Sequence, residues 1–473
     1  MAFYRAVFYF LLTIQVLISV GDIFYNLYKI CYNLYVMKKL RKIKISPYFT
    51  IIFTFLGVIL IGSILLVLPI STTKGHIDYI DALFMSTSSV CVTGLSVMNN
   101  IAVDFTIFGQ SIIVLLMFIG GLGFLTISTF FLMILGAKFG MTDRYLLKEA
   151  WNADSTKGIF RLVRNIVIFS VGVQLLGTII NYFIIREIVP ENSFWVALFH
   201  SVSAFNNVGF DILGNSNSMI GFSNNVALNI STMLLIIIGG LGFVTIFDVI
   251  KNHSWKKFSI TTKIIMIVVP ILIVSGMLLI KLADYKNITW LQALFTSVAS
   301  RTAGFTTVDF STISTASIIT ILMLMFIGGA PCSVAGGIKV TTFSVLLIGT
   351  FNYSTGRQPV IFKRTISEKT IKKAFSLFVI SILYIMMVSM LIALLNPQLP
   401  LRAVFMEVVS AFATVGFSVN ATPTLTVFSK ILIIFTMFFG RLGPLTIMNI
   451  NNNDWLHEDV KEIKYIEEDI KVG

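Results

Sequence analysis

The sequence predicts an all-α polytopic membrane protein: four repeated helical units, plus an extra helix at the N-terminus. Three observations predict it. The first is composition. Of 473 residues, 12% are charged and 56% hydrophobic, where a soluble domain carries roughly 25% charged residues. The second is a set of eight long apolar segments, at roughly 49–70, 107–135, 161–188, 224–250, 261–282, 314–350, 373–395 and 425–448. Each is long enough to cross about 30 Å of hydrocarbon. None alternates like a strand, and only helices or closed barrels satisfy the backbone in lipid, so these are helices. The third is a set of four shorter apolar stretches of matched sequence lying between them. A soluble enzyme, a disordered scaffold and a fibrous protein do not fit this composition.

The chain divides in order. Residues 1–44 hold an N-terminal helix and a basic segment. The apolar stretch near 6–20 lacks a small-residue cleavage site, and the segment Asp22–Lys29 continues a helical pattern, so it reads as retained. Residues 1–36 are too few to cross twice. Four units follow at 45–142, 143–252, 253–352 and 353–453, then a cytoplasmic tail at 454–473. Basic clusters set the orientation. Lys38, Lys39, Arg41, Lys42 and Lys44 precede the first long span. Further clusters sit between the second and third spans, after the fourth (Lys251, Lys256, Lys257, Lys263) and after the sixth (Arg357, Lys363, Arg364, Lys369, Lys372, Lys373). These alternate loops face the cytoplasm. The net charge of +13 therefore writes topology and is no nucleic-acid signature. Cys31, Cys91 and Cys332 are far apart and the four histidines are scattered, which gives neither a disulfide framework nor metal-ligand spacing.

The repeats carry the chemistry. The short stretches read ALFMSTSSVCVTGLS (82–96), ALFHSVSAFNNVGFD (197–211), ALFTSVASRTAGFTT (293–307) and AVFMEVVSAFATVGFS (403–418). Each is too short to span and reaches a glycine: Gly94, Gly209, Gly304 and Gly416. A second repeat follows each, as FIGGLGFLTI, IIGGLGFVTI, MFIGGAPCSVAGGIKVTT and MFFGRLGPLTI. The unit is helix, short helix, glycine loop, helix. A half-crossing helix that ends at membrane depth exposes carbonyls, tolerated only inside protein or beside water. Four copies about an axis make a ring of backbone oxygens, which is how a cation is stripped of its water shell. Glycine permits the dihedrals that aim successive carbonyls inward. The candidate ion-coordinating residues are Val92, Thr93 and Gly94; Asn207, Val208 and Gly209; Thr302, Ala303 and Gly304; Thr414, Val415 and Gly416.

At the segments SSVCVTGL, NNVGFD, SRTAGFTT, ATVGFS, AGGIKVTT and FFGRLGPLT the sequence resembles the Trk/Ktr/HKT superfamily of potassium transporters, over about 45–473. The tail KYIEEDIKVG resembles the C-terminus of bacterial Ktr-type membrane subunits. The resemblance implies a pseudo-tetrameric cation pore of four M1–P-loop–M2 repeats, with K+ held at filter carbonyls as the transported ion. It implies a homodimer in the cytoplasmic membrane, one pore per protomer. It also implies a separate cytoplasmic RCK/KTN-type nucleotide-binding subunit as regulator. In this family a serine at the first filter glycine goes with sodium transport; here Gly94 stands at that position, which implies K+. None of the four loops is Thr-Val-Gly-Tyr-Gly, so fewer fully formed ion sites are expected than in tetrameric potassium channels.

Intramembrane charges are functional hypotheses. Arg441 replaces the second glycine of a GGLG-like motif and is expected to face the pore below the filter, as a barrier to the ion. The third M2 holds four glycines and a proline in FIGGAPCSVAGGIKV, which cannot continue as helix. The resemblance implies a gating loop there, at 328–339, with Gly328, Gly329, Gly336 and Gly337 for mobility and Lys339 anchoring its end. The fourth copy is expected to have no comparable break. Arg301 is expected to brace the third loop against a carboxylate such as Glu407. Asp78, Asp81, Asp104, Asp211 and Asp309 are candidates to concentrate cations at the outer mouth. No nucleotide-binding motif is present, so this chain is expected to bind no nucleotide, and no nucleic acid. The competing classes are a K+ symporter coupled to Na+ or H+ and a membrane enzyme. The second would need clustered His, Asp, Glu or Ser at membrane depth, and the sequence has no such cluster.

Overall fold

The computed structural model describes residues 47–135, 158–213 and 218–443, together with 140, 144, 147 and 148. The expected helix in 1–44, the tail at 454–473 and most of the basic loop between the first two units lie outside the described residues.

The chain is helical nearly throughout, and each unit opens with an outer helix. These are α1 (Pro47–Val67), α5 (Ile159–Ile185), α9 (Ile260–Ala283) and α13 (Glu368–Leu395). They are 21 to 28 residues long, enough to cross a bilayer. Only 28–33% of each apolar window is buried inside the protein. Large side chains such as Phe53, Ile64, Leu175, Leu279 and Leu383 point outward. An apolar face without a protein partner belongs against lipid.

The short helices follow: α2 (Tyr79–Val90), α6 (Ser193–Phe205), α10 (Trp290–Ala299) and α14 (Leu401–Ala413). At 10 to 13 residues they cannot span. They are the centre of the core instead, with Phe84, Phe199, Phe295 and Phe412 at no more than 1% exposure.

The inner helices are α3 (Ile107–Leu122), α7 (Val226–Gly240), α11 (Thr315–Phe326) and α15 (Val427–Leu442). All four begin on a side-chain cap: Thr106 accepts from the Gly109 N–H, Asn225 from Leu228, Ser314 from Ser317 and Thr426 from Ser429. Each such cap is worth about 1 kcal/mol. The repetition of the cap identifies the repeat independently of the glycine loops.

The inner helices do not run on as expected. The segments 107–135 and 224–250 read as single spans, but each is broken at a glycine. Gly123 (φ +81°) separates α3 from α4 (Phe124–Ile134) with a bend of 94°. Gly242 (φ +84°) separates α7 from α8 (Phe243–Asn252) with a bend of 91°. Gly443 ends α15 with φ +80°. In the fourth copy, too, the helix thus stops at the matching glycine, contrary to expectation. In the third, an irregular segment at 327–339 divides α11 from α12 (Val340–Ser354). A two-residue hairpin, Val360–Ile361 against Arg364–Thr365, is the strand content of the described residues.

The four units close on themselves. Trp195 of the second donates to Gln110 of the first at 2.8 Å. Thr306 of the third donates its N–H to Ser218 of the second at 3.1 Å. Phe310 of the third packs on Phe417 of the fourth, centroids 4.6 Å apart. Lys430 of the fourth pairs with Asp81 of the first at 2.6 Å.

Candidate functional site

Each short helix ends in the same backbone figure. Val92, Asn207, Thr302 and Thr414 have φ of +59°, +56°, +72° and +51°. Two residues on, Gly94, Gly209, Gly304 and Gly416 have φ of +88°, +90°, +75° and +97°. The residue between, Thr93, Val208, Ala303 or Val415, is not in that region. Alternating hand turns successive carbonyls toward one side, where a one-handed run would send them to opposite sides. In the first and fourth units a hydroxyl braces the loop: Ser88 accepts from the Gly94 N–H at 3.1 Å and Ser410 from Gly416 at 3.0 Å.

The four loops meet around a common point. A methyl on Gly94 would lie 1.8 Å from the Val208 carbonyl oxygen, and one on Gly209 would lie 2.6 Å from that of Ala303. On Gly304 it would lie 2.5 Å from that of Val415, and on Gly416 2.4 Å from that of Thr93. First meets second, second third, third fourth, and fourth first. All twelve expected residues fall in this ring, and the residues preceding its glycines are buried. Glycine is required here twice over, by φ and by the approach of the next carbonyl.

The paired glycines of the inner helices have a related use. A methyl on Gly120, Gly239 or Gly440 would meet the carbonyl of Val90, Phe205 or Phe412 at 2.1, 2.0 or 1.9 Å. Each inner helix thus touches the end of its own short helix just below the ring.

The segment 327–339 lies beneath the ring. Gly336 faces the fourth loop, where a methyl would sit 2.1 Å from the Thr414 hydroxyl. Its two ends pair through Gly328 N–H to Ile338 O (2.9 Å) and Ile338 N–H to Phe326 O (3.3 Å). Its middle is tied to the second unit. Ala330 donates to Gly240 O at 3.1 Å, and the Phe243 N–H donates to Cys332 O at 2.9 Å. Lys339 donates to Ala335 O at 2.6 Å, inside the segment. The anchor expected from an acid is therefore a loop carbonyl.

Arg441 does not simply face an open pore. Its guanidinium donates to Val334 O of this segment and to Gly120 O and Gly121 O of α3, the last at 3.2 Å. It bridges the third, fourth and first units under the ring. Arg301 is 7% exposed, and its guanidinium donates to Val269 O at 3.4 Å. Glu407 accepts from the hydroxyls of Thr422, at 2.8 Å, and Ser418. Both hydroxyls follow the fourth loop, so Glu407 braces its own unit. The expected Arg301–Glu407 pair is not among the ion pairs of the described residues.

The outer acids are mostly engaged. Asp81 pairs with Lys430, and Asp104 lies 3.9 Å from Lys74. Asp309 accepts from the Ser311 N–H at 2.8 Å. Asp211, just past the second loop, is pushed up to about 6 by burial, against the opposing pull of its bonds to the Leu213 N–H and Ser218. Two signals in the sequence went unread: the third glycine of the GGLG motif, which ends the inner helix, and the Thr/Asn/Ser cap that begins it.

Comparison with known proteins follows this geometry. The family described as "TrkH: Cation transport protein" matches residues 46–451. The chain is 37% identical over 426 residues to the Ktr system potassium uptake protein B of Bacillus subtilis (strain 168), spanning 87% of this chain and 94% of that protein. It is 35% identical over 429 residues to the potassium/sodium uptake protein NtpJ of Enterococcus hirae, with the same shares, 87% and 94%. Among solved structures, the potassium transporter TrkH from Vibrio parahaemolyticus matches with a TM-score of 0.68 over 88% of this chain and 87% of that one, at 19% identity. At that identity the likeness speaks to the fold.

Proposed function

The chain belongs to the TrkH family of cation transport proteins, as a membrane subunit of Trk/Ktr type, and from this premise we propose that it takes up K+ through the ring of four glycine loops. The closed cycle of carbonyl contacts at Gly94, Gly209, Gly304 and Gly416 carries the reading. An ion entering the ring exchanges water for the carbonyls of residues 92–94, 207–209, 302–304 and 414–416. The C-terminal ends of α2, α6, α10 and α14 add their negative dipole ends at the same place. Little reorganisation is needed, because each loop is held by its neighbour. The four glycines leave no side-chain oxygen in the ring, consistent with K+ as the cargo. The named relatives act on potassium, and the protein is a transporter of a transporter family, not an enzyme.

In this reading the segment 327–339 is the gate. It lies directly under Thr414 and has small residues at its contacts. Arg441 holds it closed by its bond to Val334 O and adds a fixed positive charge to the ion's exit. A homodimer in the cytoplasmic membrane and a cytoplasmic nucleotide-binding regulatory subunit complete the assembly implied by the family. Uptake of radioactive Rb+ into liposomes loaded with K+ tests the function. Uptake driven by the K+ gradient alone, suppressed by external K+ and not by Na+, is the expected result. A second reading, K+ uptake coupled to Na+, is favoured by the potassium/sodium name of the Enterococcus relative. It requires uptake to depend on a sodium gradient in the same liposomes.

A further inference from the structure

Below the ring, on the side of the Arg/Lys-rich loops, the protein encloses a cavity of about 760 Å³. It is bounded above by the 331–339 segment and by the glycines that end α3 and α15, and at its mouth by the hairpin and the start of α13. Its charge is one-sided. Lys339 and Arg441 line its floor, Arg364 and Lys373 its mouth, and no carboxylate lines it. None of the ion pairs among the described residues involves these four cations.

Helix ends add to this. Three helices start at the cavity wall: α9 at Ile260 and Thr261, α12 at Thr341 and Thr342, and α13 just after Ser367. A helix start presents N–H groups and a positive dipole end. The start of α12 carries no side-chain cap, unlike the starts of the four inner helices. A vestibule that passes cations would be expected to carry the opposite sign.

We propose that this cavity binds a phosphate-bearing polyanion, seated between Arg364 and Lys373 at the mouth and Lys339 and Arg441 at the floor, whose presence makes the exit passable to cations. Size and donor type select the class. The volume suits a multi-atom ligand rather than a halide. Guanidinium forks, ammonium groups and helix N-termini are the donors that phosphate oxygens take. A soluble di- or triphosphate and a lipid phosphate headgroup share this chemistry. Binding does not depend on which cation the ring passes, so failure of binding and failure of the transport reading are separable.

The test is equilibrium dialysis of radiolabelled pyrophosphate against the full chain in phosphatidylcholine nanodiscs. Wild type is expected to show one saturable site per chain that weakens as salt rises. The double variant Arg364→Gln/Lys373→Gln, at exposed positions on the mouth, is expected to bind at least about tenfold more weakly. Lys372→Gln is the control, since Lys372 neighbours Lys373 but does not line the cavity; it is expected to keep wild-type affinity. Repeating the wild-type measurement in nanodiscs containing phosphatidylglycerol identifies the source. Persisting pyrophosphate binding supports a soluble anion, and its displacement supports a lipid headgroup; both support the site. Absence of saturable binding in phosphatidylcholine, unchanged affinity in a monodisperse double variant, or an equal loss in Lys372→Gln overturns it.

Discussion

Replacing Gly94 by alanine puts the ring to a quantitative test. The new methyl would lie 1.8 Å from the Val208 carbonyl oxygen, whereas real Cβ contacts essentially never fall under 3.0 Å. The carbonyl must therefore retreat by about 1.2 Å, and it is backbone of the neighbouring filter loop. That retreat exceeds the roughly 0.5 Å within which a binding constellation must be held. The φ of +88° adds a second strain, roughly 1–2 kcal/mol for an L residue in the left-handed region. If about 1.4 kcal/mol of this falls on the ion site, preference for K+ over Na+ drops about tenfold. The contact at Gly209 is looser, 2.6 Å, so Gly209→Ala is expected to cost less selectivity. Gly57→Ala in α1 meets nothing within 4 Å and serves as the silent control. The assay is Rb+ uptake into liposomes, with half-inhibition by external K+ and Na+ compared across the variants. A monodisperse Gly94→Ala protein with the wild-type K+/Na+ ratio would refute the reasoning, because the first and second loops would then not meet at the ion.

Three further outcomes are expected. Arg441→Gln removes both the charge and the tie to Val334 and should raise flux; a unit charge roughly 7 Å from the ion at an effective dielectric of about 20 repels it by about 2 kcal/mol, on the order of thirtyfold in rate. Liposome flux checks this, and unchanged flux in a folded variant removes the barrier role. Gly336→Ala drives a methyl to 2.1 Å from the Thr414 hydroxyl, so the segment or the fourth loop must move; single-channel recording should show altered open probability, and an unaltered one counts against the gate. Asp211 titrates near pH 6, being raised by burial, so its carboxylate is charged at neutral pH and lost on acidification. Uptake from dilute K+ should then fall as external pH drops through about 6, and Asp211→Asn should abolish that step; a step that survives in Asp211→Asn belongs to another group.

The ring was legible because it is written four times. Thr-Gly, Val-Gly, Ala-Gly and Val-Gly recur after Ala-(Leu/Val)-Phe at matched spacing, and a backbone figure that demands glycine leaves its mark at each copy. The broken third inner helix was legible for the same reason, since Pro331 and four glycines cannot sit in a helix. The bends at Gly123 and Gly242 were not, because a single glycine is ordinary within a membrane helix and hydropathy runs on across it. Only the positive φ distinguishes them. Partners of buried charges were legible least. Arg301 and Glu407 lie on adjacent short helices, yet each is satisfied elsewhere, by Val269 O and by Ser418 and Thr422. Arg441 was correctly expected at the level below the ring. Its bridge to Gly120, Gly121 and Val334 depends on how the fourth unit closes on the first and third, which local sequence does not encode.

The most direct test of the ring is anomalous diffraction from crystals of the full chain grown in Rb+. A cation peak on the axis among the carbonyls of Thr93, Val208, Ala303 and Val415, displaced by K+ soaking and not by Na+, is the predicted result. A ring without such a peak, or with the ion held elsewhere in the chain, would contradict the account.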